Sequence, residues 1–131
     1  MVSNVGSRLP AYVTGIGKAL LSGLPPAVLR ERFAGVELPG YTSQTITSGD
    51  RLIDVLEDVR RQGYATDDGE YSYGVYCVAV PIVNRRNHVV AGLSFSVPQA
   101  RLESGDVSPD RMIAVLQDAS AAISRSLDSE G

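Results

Sequence analysis

Two apolar runs rich in β-branched residues, 75–83 (VYCVAVPIV) and 89–97 (VVAGLSFSV), flank the polar pentapeptide Asn84-Arg85-Arg86-Asn87-His88. That arrangement predicts a β-hairpin, and whatever else the chain forms has to cover it. Helical patterns supply the cover. From Asp50 to a stop at Gly63, Leu52, Val55, Leu56 and Val59 fall on one helical face and Arg51, Asp54, Asp58 and Arg61 on the other. Ser108-Pro109-Asp110 places an N-cap before a proline at the first helical position. Beyond it Met112, Val115, Leu116, Ala119, Ile123 and Leu127 carry an apolar stripe that should lie on one face of the sheet. Earlier, Thr14-Gly15 opens a short helix that Gly23 ends, Pro25-Pro26 starts a second that stops at Gly35, and Leu9–Val13 suits a short strand. Residues 1–8 show no periodicity, and 36–49 has the Thr, Ser, Gly and Pro content of a loop with an edge strand.

Alternation along the hairpin separates two faces. Val89, Ala91, Leu93, Phe95 and Val97 share one side with Val78, Val80 and Ile82, whereas Gly92, Ser94 and Ser96 share the other with Val75, Cys77 and Ala79. Pairing Cys77 with Ser94 and Val75 with Ser96 unites the bulky faces as core and the small faces as a shallow floor. Such a floor is either one side of a sheet turned to water or a binding surface furnished with hydroxyls.

With 131 residues, 44% of them hydrophobic and 21% charged, the chain has the make-up of one globular domain that needs neither metal nor disulfide to hold a core. One cysteine, Cys77, excludes an intrachain bridge, and one histidine, His88, excludes a site of several His or Cys ligands. Twelve basic against fifteen acidic side chains give a net charge of −3, and the basic pairs Arg60-Arg61 and Arg85-Arg86 are too small for a DNA-binding face. No apolar run approaches the roughly 18 to 20 residues that span a bilayer, and no signal-peptide pattern opens the chain, so a cytoplasmic protein without membrane association is expected.

Gly15-Ile16-Gly17-Lys18 invites a phosphate-loop reading, but Tyr12 and Ala19 stand where a Walker loop has glycine and Ser/Thr, and Leu20 breaks a dinucleotide fingerprint. What remains is a glycine-flanked helix start, either a seat for a carboxylate or a tight packing turn. Cys77, inside an apolar strand, has the setting of a small buried hydrophobe rather than a nucleophile. Asp67, Asp68 and Glu70 have no partner base or cofactor motif and fit an exposed connection between helix and strand. Tyr64, Tyr71, Tyr73 and Tyr76 either rim a pocket or pack on the sheet. Neither catalysis nor a cofactor is expected.

Five motifs then fall in order: Leu9-Pro10, Thr14-Gly15-Ile16-Gly17-Lys18-Ala19-Leu20-Leu21, Arg60-Arg61-Gln62-Gly63-Tyr64-Ala65-Thr66-Asp67, Gly74-Val75-Tyr76-Cys77-Val78-Ala79-Val80-Pro81, and Ser94-Phe95-Ser96. From about Leu9 to Leu127 the chain resembles the effector-binding domain of the IclR family of bacterial transcription regulators. The resemblance implies a GAF-like α+β domain, a mostly antiparallel sheet with helices packed on both sides, spanning residues 9–131 after an irregular segment 1–8. It also implies that the chain starts inside the effector domain and lacks the N-terminal winged helix-turn-helix through which family members bind DNA, as a piece of a longer protein. Family members self-associate as dimers or tetramers. The positions that match family ligand contacts are Leu9, Gly15, Ile16, Asp67, Val75, Cys77, Ser94 and Ser96, and the implied ligand is a small organic acid. The family's 2-oxo-acid binders hold carboxylate and oxo oxygens with such groups; Gly69, where an acidic residue is common, and the tyrosines at 71, 73 and 76 tilt this chain toward a larger or aromatic carboxylate. The alternatives are a GAF-like sensory or interaction module of a signalling protein that does not bind DNA and, further off, an enzyme with Cys77 as nucleophile.

Overall fold

The computed structural model describes residues 5–130, with side chains described as far as Leu127. Of the segment 1–8, residues 1–4 lie outside the described residues, and 5–8 form no helix or strand. The predicted hairpin is β2 (Val75–Val83) and β3 (Val89–Pro98), joined antiparallel; Ala65–Asp68 forms β1 on the other side of β2, giving the order β1-β2-β3. β1 departs from the exposed connection expected at 64–74. Its four residues pair fully with Tyr76–Ala79, and Asp67 and Glu70 are buried. The expected hairpin pairing is corrected as well: Cys77 lies opposite Ser96 and Ala79 opposite Ser94. Val90 is an extra residue between the pairs Ile82–Ala91 and Val83–Val89, and this bulge moves the register one step beyond what the turn alone would set. Because the total slip is two residues, each side chain keeps the face that alternation assigned to it.

Helices pack on both faces of the sheet, as expected for the α+β class. α5 (Pro109–Glu130) covers one face, burying Met112 and Leu116 against Val78 and Val80. Val115, Ile123 and Leu127, expected in the same buried stripe, are exposed. Instead the lower half of α5 is fixed by hydroxyls, Ser120 donating to the Pro81 carbonyl (2.8 Å) and Ser124 to that of Val83 (2.7 Å). On the opposite face lies α1 (Gly15–Leu21), capped by Thr14, whose hydroxyl accepts from the Gly17 N–H at 3.0 Å. α3 (Gly49–Gln62) follows the predicted span: Ser48 caps it, Gly63 ends it in the left-handed conformation (φ 85°), and Leu52, Leu56 and Val59 are buried.

α2 (Pro26–Phe33) packs on α3, and their core takes in Tyr12, Val13, Leu29, Ile46, Leu52 and Leu56. The strand expected at Leu9–Val13 is a 3-10 turn over Ala11–Val13, because Pro10 offers no N–H to a ladder and its carbonyl takes the Val13 N–H at 3.3 Å. α4 (Gln99–Glu103) is a single turn after β3 that the periodicity does not reveal. The loop 36–48 touches itself as a minimal antiparallel pair, Glu37 with Ser48.

Candidate functional site

On the α1 side of the sheet the register lines up Asp67, Cys77 and Ser96 in one row across the three strands, and Ala65, Ala79 and Ser94 in the next. Small side chains let α1 come close. A Cβ on Gly15 would stand 3.0 Å from the Cys77 Sγ and 3.3 Å from the Ala79 Cβ. The Cys77 sulfur therefore sits among the Gly15 N–H and the hydroxyls of Ser94 and Ser96, all within hydrogen-bonding reach, with the Asp67 carboxyl beside it. Burial pushes the Cys77 thiol up from its ordinary value, the opposite of what a nucleophile requires. Ser94 and Ser96, one strand farther out, are exposed.

Next to this row lies a shallow crevice of about 10 Å³ bounded by Leu9, Thr14, Asp67, Tyr71, Ser72 and Val75. It has room for about one water, far short of the roughly 300 to 1,000 Å³ of pockets for drug-sized ligands. Val75 is shared with an open groove past Tyr73 and Ser96, so the crevice and the serine floor adjoin. Asp67 is 7% exposed, and burial raises its carboxyl to about 6. The Glu70 N–H donating to Asp67 Oδ1 (2.8 Å) and the Lys18 charge pull it down, while the Glu70 and Asp68 carboxylates push it up.

A buried ion pair holds the walls together. Lys18 of α1 donates to both carboxylate oxygens of Glu70, at 2.7 and 2.9 Å. Glu70 Oε2 also accepts from the Asp68 N–H (3.3 Å), and its backbone carbonyl accepts from the Thr45 hydroxyl (2.6 Å). The Thr42 hydroxyl donates to the Gly69 carbonyl at 2.6 Å, so the 36–48 loop is docked on the β1–β2 connection. Tyr41 packs on Tyr71 at a tilt of 51° with ring centroids 5.2 Å apart, backing the crevice's aromatic wall.

The predicted residues thus meet in two adjoining groups. Leu9, Asp67 and Val75 face the crevice, while Gly15, Cys77, Ser94 and Ser96 surround the sulfur. Ile16 stands to one side, packed over Gly92, where a Cβ would come within 2.7 Å of its Cγ1. Of the amides at the start of α1, Gly17's is already taken by Thr14, and a Cβ on Gly17 would meet the Ala11 carbonyl at 2.1 Å, so this glycine serves packing. Of the tyrosines, Tyr71 lines the crevice and Tyr73 the outer groove, whereas Tyr64 and Tyr76 pack under α5. Thr14, Ser72, Lys18 and Glu70 were not anticipated. The available signal was Lys18, the lone charge in the helix GIGKALL. No group of three or more His, Cys, Asp or Glu suited to a metal occurs among the described residues, and none of their helices is long and apolar enough to cross a membrane.

The family model described as bacterial transcriptional regulator IclR C-terminal matches residues 1–125. The chain belongs to this family. As an IclR C-terminal domain it is 40% identical over 124 residues to the HTH-type transcriptional regulator KdgR of Escherichia coli K12, covering 95% of this chain and 46% of that protein. It spans about half the length of the curated relatives it matches. The crystal structure of the Thermotoga maritima IclR superposes with a TM-score of 0.84 at 35% identity, covering 97% of this chain and 51% of that one. A double mutant of the PobR inducer-binding domain from Acinetobacter, solved with 3-hydroxybenzoic acid, superposes at 0.78 with 30% identity, over 91% of this chain and 67% of that one. The named relatives are transcription regulators.

Proposed function

We propose that this chain is the ligand-sensing part of a cytoplasmic IclR-type regulator, with residues 9–131 taking a small organic acid on the floor beneath α1. The observation that carries this reading is the row Asp67, Cys77, Ser96: three polar side chains brought side by side from three strands, continuous with exposed Ser94 and with an aromatic-walled crevice. Ser94 and Ser96 hydrogen-bond the acid's polar atoms, and Cys77 lies under them. Leu9, Ile16 and Val75 supply apolar surface, Gly15 lets the backbone come close, and Asp67 bounds the site on the acidic side. Tyr71 and Tyr73 favour an aromatic carboxylate over a 2-oxo acid, in keeping with the 3-hydroxybenzoate bound by the PobR relative. Binding acts on the arrangement of protomers in a dimer or tetramer, and so on winged helix-turn-helix domains elsewhere in the protein that hold operator DNA. That coupling requires the acid to prefer one arrangement over another.

A thermal-shift screen of 2-oxo acids, benzoates and phenylacetates against the parent and a Ser94→Ala/Ser96→Ala variant tests the site. An acid present at 100 times its dissociation constant adds about 2.7 kcal/mol of stability. The expected result is stabilisation of the parent by an aromatic acid and loss of that shift in the variant; equal shifts in both proteins move the site away from the floor.

A further inference from the structure

We propose that an anionic effector enters this site together with a proton, which comes to rest on Asp67. The inference rests on the acid-binding reading above and adds the stoichiometry of the event. Its basis is a charge imbalance built into the walls. From α1, Lys18 faces Asp67, but both oxygens of Glu70 already hold that ammonium. From the end of β1 Asp68 and from the β1–β2 connection Glu70 add negative charge, and from β2 comes only the Cys77 thiol, which burial keeps protonated. β3 contributes no ionisable side chain, since Val89–Pro98 contains none. Thr14 and Tyr71, which share the crevice with Asp67, are neutral.

A carboxylate placed over Cys77 and the serines thus lies one strand spacing from a buried carboxylate, with Lys18, the one cation acting on Asp67 among the described residues, already committed to Glu70. Two carboxylates sharing one site do not both stay ionised. Protonating Asp67 removes the repulsion and turns an acceptor on the wall of the crevice into an O–H donor. The step is cheap here, because burial has already raised this carboxyl to about 6. Binding the anion raises it further, so between the free and bound values each ligand brings in one proton. Affinity for an anion is therefore full below about pH 6, falls about tenfold per pH unit from there to the bound value and levels off beyond it, whereas a neutral ligand of the same shape is indifferent to pH.

The experiment follows the backbone amides of Gly15, Ser94 and Ser96 by heteronuclear NMR while benzoate, or its uncharged counterpart benzamide, is added between pH 5.5 and 8. The expected result is a benzoate dissociation constant that rises about tenfold per pH unit from the free Asp67 titration to the bound one and levels off beyond it, a flat benzamide profile, and a flat benzoate profile in Asp67→Asn. The Asp67 side-chain carbon, followed in the unaltered protein, titrates near pH 6 and moves upward with benzoate, which keeps the test open if the variant folds poorly. Benzoate binding at these amides with one affinity at every pH, or an Asp67 that stays ionised throughout, overturns the proton coupling and leaves the site intact. Amides that respond to neither compound at any pH overturn the site itself, and the coupling with it.

Discussion

On the α5 side of the sheet, Val78, Val80, Met112 and Leu116 interlock at 5% exposure or less, whereas the matching rows on the α1 side hold Ala65, Ala79, Cys77, Ser94 and Ser96. The first face is closed by bulk. The second is closed over Ala19, Val59, Ala65 and Ala79, where α1 and α3 settle on small residues, and it stays open at the β3 edge where the hydroxyls of Ser94 and Ser96 lie. Apolar volume holds one helix down; a short helix over alanines and glycines buries less, and a buried ion pair does the rest. A sheet can thus be sealed on one side and receptive on the other without any change of topology.

Three substitutions probe that contrast. Lys18→Met leaves Glu70 buried without its partner, and chemical denaturation should register a loss of about 3 to 5 kcal/mol, the range for breaking one side of a buried pair. If the loss is under 1 kcal/mol, the α1 face is held by packing after all. Leu116→Ala, on the bulky face, should cost about 2 to 5 kcal/mol through lost burial and a cavity, and thermal shifts with an acid ligand should be unaffected once the lower baseline is subtracted. Asp67→Asn acts in the opposite direction. A carboxyl whose folded value, about 6, lies above its ordinary 3.8 favours the folded state when protonated, so ionisation weakens the fold as pH rises through that interval. The asparagine variant should therefore be more stable than the parent by about 2 to 3 kcal/mol at pH 8, with the advantage gone near pH 4, as urea melts at the two pH values would report.

The bulky face was legible in the sequence because it repeats, with a period of two along β2 and β3 and of 3.6 along α5, although Phe95 on that face stays exposed. The small face was legible only in part. Alternation placed Cys77, Ser94 and Ser96 together, and the slip in pairing preserved their side while changing their partners. Asp67 and Glu70 looked like solvated loop residues, since ATDD sets one β-branched residue, Thr66, against two aspartates of the kind strands disfavour; tertiary pairing with Tyr76–Ala79 made it a strand. Nothing local marks Lys18 as the partner of a residue 52 positions away. The exposure of Val115, Ile123 and Leu127 was likewise hidden, because periodicity gives the width of an apolar stripe but not how much of it the sheet can reach.

Glu70 binds α1 through its carboxylate, Asp67 through its N–H and Thr45 through its carbonyl. Substitutions at Lys18, Asp67 and Thr45 are therefore not independent, and their effects will not add as those of distant sites do. Three stretches far apart along the chain are held to a common history: a change in one is tolerated only alongside a matching change in another, and a double-mutant cycle would show the debt as a coupling energy centred on a residue that none of the three substitutions touches.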